Sequence, residues 1–136
     1  MNYSWVRNEK IPLFRRLLAV GRRLRGQKDE LHIDDHAVSM KRLEGVIERV
    51  EWSKINRIEV LTTDRGPWVA DLFFILHGDN GTGCVVPSEL AEGTGFLERI
   101  QTFRDFNNQA VIAASIDTSY SLRLCWARIQ SKDQSS

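Results

Sequence analysis

The chain has 136 residues, with 19 Lys and Arg against 18 Asp and Glu, and two cysteines. That length is one domain, long enough to fold without a disulfide or structural metal. The isolated Cys84 and Cys125 exclude a CxxC redox or zinc motif and read as buried small hydrophobes. No apolar run approaches the ~20 residues that cross a bilayer. The start "MNYSWVRNEK" lacks the charged-then-apolar layout of a secretory signal, so the expected location is the cytoplasm, with membrane association left open. Charge is uneven: residues 7–28 hold eight basic residues and one acidic, residues 29–136 eleven basic and seventeen acidic. A basic arm ahead of an acidic body marks an interaction segment.

In chain order, the first predicted element is a helix over "PLFRRLLAVGRRL", residues 12–24. Pro12 suits a first turn. At 100° per residue, Leu13, Phe14, Leu17, Leu18, Val20 and Leu24 occupy one half of the wheel, and Arg15, Arg16, Arg22 and Arg23 the other. Gly21 lies in the apolar half, where it allows close approach, and Gly26 is a stop. Two readings stay open. The helix packs on its own domain or on a second copy, or it lies on an anionic membrane with its arginines toward headgroups. Nucleic acid is not an expected partner, because the acidic body opposes the phosphate backbone.

From Glu30 the period changes to two. Strands are predicted at "ELHID", "AVSMKR", 46–52, 57–63, within "PWVADLFFILHG" and at 82–86, with the turn "DNG" at 79–81 before the last. The fifth strand is apolar on both faces, which predicts cover on both sides. A helix follows from Thr94 through Phe103, then a second short one at "QAVIAAS". A final strand, 119–128, places Tyr120, Leu122, Leu124 and Trp126 on one face. The sum is an α+β domain: a bent antiparallel sheet or open β-barrel of about six to seven strands, closed by a C-terminal helix. The arm is 1–28, the domain 29–128 and the tail 129–136.

The stretch "VEWSKINRIEVLTTDRGPWVADLFFIL" resembles the bacterial pleckstrin-homology-like domains, where a tryptophan ending the third strand is followed by a small polar residue and an isoleucine. Trp52, Ser53 and Ile55 stand there, and "VPSEL" before "GFLERIQTF" is similar to the last barrel strand feeding the closing helix. The resemblance covers about residues 29–106. It implies a scaffold for binding, most simply of protein, with no residue-level site. The strand at 119–128 departs from the family pattern. So does the loop "DDHA", which would repel the phosphates gripped by some members.

One stretch looks like chemistry: "HIDDH", residues 32–36. Pairing Ile33 with Val38 and Leu31 with Met40 keeps apolar residues together, makes 34–37 the loop and turns His32 outward opposite Ser39. In that register the imidazoles do not converge, and Asp34 and Asp35 are ordinary turn residues. A metal-dependent enzyme built on His32, Asp34, Asp35 and His36 is the third-ranked alternative. His77, beside a turn, is expected at the surface or in a cap. Asp64 and Arg65, with Trp68 beside them, form a candidate partner-binding turn. The expected function is non-enzymatic protein binding or self-association. The alternative is a peripheral membrane role through Phe14, Leu17 and Leu18 with Arg15, Arg16, Arg22 and Arg23. No catalytic residue, metal or cofactor is assigned.

Overall fold

The computed structural model describes residues 29–43, 45–63 and 72–129. The helix expected at 12–24 lies outside them, as do Asp64, Arg65 and Trp68. Among the described residues seven strands form: β1 (Glu30–Ile33), β2 (Ala37–Lys41), β3 (Ile47–Glu51), β4 (Ile55–Thr62), β5 (Leu72–Gly78), β6 (Gly83–Pro87) and β7 (Ser121–Ala127). Three short helices join β6 to β7: α1 (Ser88–Ala91), α2 (Phe96–Ile100) and α3 (Asn108–Ser115).

The α+β architecture and its antiparallel pairing agree with the sequence pattern. The strands, however, divide into two sheets, β1-β2-β3 and β6-β5-β4-β7, and among the described residues no ladder closes them into a barrel. The division falls at Trp52–Lys54, a single 3-10 turn that lifts the chain from β3 onto β4. Trp52 anchors that corner: its indole N–H donates to the Asp34 carbonyl at 2.8 Å, and its backbone N–H to the His36 carbonyl at 3.0 Å.

The core lies between the sheets. Val38, Met40 and Val50 face Ile58, Val60, Phe74, Leu76, Cys84 and Val86, as period-two alternation requires. The helices close one side with Ala91, Phe96, Ile100, Ala110 and Ala114. The short helix expected at "QAVIAAS" is α3, whereas the helix expected from Thr94 through Phe103 is shorter than predicted. Thr94 does accept the Phe96 N–H, at 3.1 Å, but α2 stops at Ile100, and Asp105 turns the chain with φ 65°. Asn107 then caps α3, its side chain accepting the Ala110 N–H at 3.2 Å.

A bulge corrects the expected face of β7. Leu122 pairs with Leu61 and Leu124 with Glu59, but Trp126 pairs with Ile58, so Cys125 is the inserted residue. Trp126 therefore turns inward, away from the side of Leu122 and Leu124. It packs edge-on to Phe103 at 4.7 Å and donates its indole N–H to the Arg104 carbonyl at 2.9 Å.

A buried ionic clasp joins the sheets. Arg42 donates to Glu48 through Nη2 at 2.8 Å and Nε at 3.3 Å, and to Asp29 through Nη1 at 3.2 Å. Nη2 also reaches the Val85 carbonyl at 2.7 Å, while Glu48 accepts the Val85 N–H at 2.9 Å. Sheet one thus supplies the side chains that satisfy the backbone of edge strand β6, at the point where that strand would otherwise be bare.

Close approach is also built in at Gly78, the end of β5. A Cβ there would overlap the Thr82 hydroxyl and a Val50 methyl. Neither can swing aside: Thr82 is bonded to the Asp79 carbonyl at 2.8 Å, and Val50 is a core residue of the facing sheet. Gly78→Ala is expected to cost about 1–3 kcal/mol through overpacking, read as a lower urea midpoint at unchanged slope. The "DNG" turn that follows holds Asn80 at φ 60° and Gly81 at φ 75°, as the sequence predicts.

Candidate functional site

The β1–β2 hairpin adopts the predicted register: Ile33 opposite Val38, His32 opposite Ser39, and Leu31 opposite Met40. Asp34 closes the loop by accepting the N–H groups of His36 and Ala37, both at 2.8 Å. Those two bonds hold its carboxyl below the usual carboxylate range. His32 stands exposed beside Glu30, at 3.2 Å. Among the described residues no three His, Cys, Asp or Glu side chains come together as a metal would need. "HIDDH" is a hairpin loop whose carbonyls receive Trp52.

The far side of that loop lines a cleft of about 390 Å³, bounded by Asp35, His36, Glu51, Trp52, Arg99 and Phe103. The Arg99 guanidinium lies 4.7 Å above the Trp52 ring, a cation–π lid over the core. Acids on one wall and an arginine on the other make this a polar, shallow recess. Arg99 was no sequence candidate: its position on a short helix gives no hint of the tryptophan it covers, 47 positions earlier.

His77 is a correction to the expected surface role. It is buried on the outer face of β5, where its Nε2 meets Glu59 Oε1 at 2.8 Å. Arg57 Nε lies 3.2 Å from the other Glu59 oxygen, too oblique for a hydrogen bond. Strand pairing explains the group: Arg57 is directly opposite His77, and Glu59 follows on the same face.

Both cysteines are buried, as the sequence predicts. Burial, and secondarily the Glu59 charge, pushes the Cys125 thiol from 9.0 up to about 12. Ellman's reagent at pH 8 is therefore expected to find no rapidly reacting thiol in the folded chain and two after denaturation. The folded chain keeps a proton that the unfolded chain releases, so this contribution is full below pH 9 and falls as pH rises toward 12.

Among the described residues, exposed apolar side chains concentrate toward the C-terminal end. Nine large hydrophobic residues stand exposed among the described residues, and six of them, Ile112, Ile116, Tyr120, Leu122, Leu124 and Ile129, fall between 112 and 129. Leu122 and Leu124 share the outer face of β7, the edge strand of its sheet. The start of β7 is held firmly. Thr62 donates to the Ser119 carbonyl at 2.8 Å, and Asp117 accepts from the Ser119 hydroxyl at 2.6 Å and its N–H at 2.8 Å. Ser119, then Arg123 and Ser121, hold the Asp117 carboxyl well below the usual range. At the other end of β7, the Asn107 N–H covers the Cys125 carbonyl at 2.8 Å.

The described residues form a two-sheet α+β domain with a partly bare edge strand hydrogen-bonded at both ends. No family model, curated protein or solved structure matches the chain. No described helix is long and apolar enough to cross a membrane.

Proposed function

We propose that the chain is a protein-binding module acting through the outer edge of β7, where Leu122 and Leu124 meet an extended segment of a partner. The observation that carries this is the exposure of Leu122 and Leu124 on β7, a strand whose start is fixed by the Thr62 and Asp117 bonds, with Ile112, Ile116, Tyr120 and Ile129 exposed on the segments before and after it. Fixed aromatic and aliphatic groups at a sheet edge suit strand addition: backbone bonds supply affinity and alternate side chains supply selection. The candidate turn of Asp64, Arg65 and Trp68 belongs to the β4–β5 connection, which leaves β4 at Thr62, opposite Ser121.

The scaffold is read as pleckstrin-homology-like. Trp52, Ser53 and Ile55 at the β3–β4 corner and the helix following β6 support this, while β7 added beside β4 is the departure. The test places a benzophenone amino acid at Leu124 of the full-length protein in the cells that make it. The expected result is a discrete protein adduct, a second copy included, lost when Leu122→Asp is added and retained with Ile47→Asp. No adduct, together with a monomer by light scattering at every concentration, overturns the reading.

A further inference from the structure

Sheet two has a second face, turned away from the core. Its rows follow from the register: Val85, Ile75, Glu59 and Leu124 in one, Pro87, Phe73, Leu61 and Leu122 in the next. On β6, β5 and β4 these side chains are closed off from solvent, Val85 at 2%, Ile75 at 0%, Phe73 at 1% and Leu61 at 1%. On β7 they are bare, Leu122 at 38% and Leu124 at 43%. Yet Val85, Ile75, Phe73 and Leu61 do not belong to the core between the sheets, to which sheet one and all three helices contribute. This face, which also carries the buried Glu59 and His77, is covered on three strands and bare on the fourth.

We propose that residues 12–24 are that cover, lying as one helix across β6, β5 and β4 with Leu13, Phe14, Leu17 and Leu18 against the sheet. Width fits: β4 and β6 are ~10 Å apart, and a helix with its side chains is ~10–12 Å across. Length fits: thirteen residues make a helix of ~20 Å, while the rows from Arg57 to Leu61 span ~13 Å. Entry point fits too. Asp29 is tied to Arg42, and Arg42 to the Val85 carbonyl, so the described chain starts at the β6 edge, from which either face of the sheet can be reached. Four residues separate Leu24 from Asp29, a reach of ~17 Å. Two other segments fit less well. Residues 130–136, "QSKDQSS", have no apolar side chain, and 64–71 leave from the Thr62–Leu72 end, beyond the Phe73 row.

Charge agrees with this placement. The arm is basic, the body acidic, and docking the apolar half leaves Arg15, Arg16, Arg22 and Arg23 toward solvent. The same apolar half cannot serve a bilayer at the same time, so membrane attachment would require the helix to leave and strip the sheet.

The test uses the full-length protein. A benzophenone amino acid replaces Leu17, or separately Leu18, and adducts are mapped by mass spectrometry. Adducts within one molecule to residues 57–61, 73–77 or 83–87 are expected, with none from Arg15 or Arg22. Adducts confined to a second copy or to other segments, or none at all, overturn the proposal. Because the label could disturb docking, amide exchange is also read on the unmodified chain. Residues 13–24 are expected to exchange at least about tenfold more slowly than a free peptide. Exchange at the free rate overturns the proposal, and protection that needs added anionic vesicles replaces it with the membrane reading.

Discussion

Arg42→Ala is expected to cost about 3–5 kcal/mol, because it removes the guanidinium that the buried Asp29 and Glu48 carboxylates share. The loss goes beyond one ion pair. Nη2 of Arg42 also caps the Val85 carbonyl, and Glu48 and Asp29 hold the N–H groups of Val85 and Leu43, the latter at 2.9 Å. A carboxylate that escapes toward water would take those backbone bonds with it. Arg42→Lys keeps the charge but not the fork, and is expected to recover about half of the loss at most. Replacing all three residues with apolar ones often rescues buried ion pairs. Here it is expected to fail, because two Val85 groups and the Leu43 N–H would be orphaned. Urea unfolding of the four proteins measures this. A triple variant as stable as the parent would show that the clasp is dispensable.

Phe96→Ala is expected to be equally severe, about 3–5 kcal/mol. Phe96 is fully buried, 5.4 Å from Phe74 and 6.4 Å from Trp52 between ring centres. With Ile100 it is one of the two buried residues by which α2, five residues long, is attached to the domain, and the larger of them. So short a helix has no stability of its own, so losing the larger anchor releases Arg99 from above Trp52 as well. Phe96→Leu, which keeps most of the volume, is expected to cost about 1–1.5 kcal/mol. The midpoint of urea unfolding followed by tryptophan emission distinguishes these. A loss below 1 kcal/mol for Phe96→Ala would mean that α2 stands apart from the cooperative unit.

The hairpin at "HIDDH" was legible because only one register keeps Ile33, Val38, Leu31 and Met40 on one side, and because the turn chemistry of Asp34 is local. The same holds for "DNG" and for the burial of both faces of β5. What sequence reading missed depends on residues far apart in the chain. Arg42 beside Lys41 looks like a solvated pair of bases, since its partners lie 13 positions before it and 6 after. His77 beside a turn looks exposed until β4 brings Glu59 across from 18 positions away. The bulge at Cys125 leaves the alternation Tyr120, Leu122, Leu124, Trp126 intact in the sequence while reversing the last of these in space. The division into two sheets depends on one turn at Trp52, which periodicity does not mark.

The placement of β7 beside β4 has a consequence for how the protein is made. Thr62 and its partner Ser121 are 59 positions apart, so a ribosome adding roughly 5–20 residues per second delivers β7 about 3–12 s after β4. During that interval the β4 edge, with Ile58, Val60 and Leu61, has its hairpin partner β5 on one side and nothing on the other. A nascent chain in this state carries an open apolar template for strand pairing. Chaperones that hold extended segments would find their substrate there, and messages cut short before Ser121 would yield a product that aggregates rather than one that merely lacks a strand.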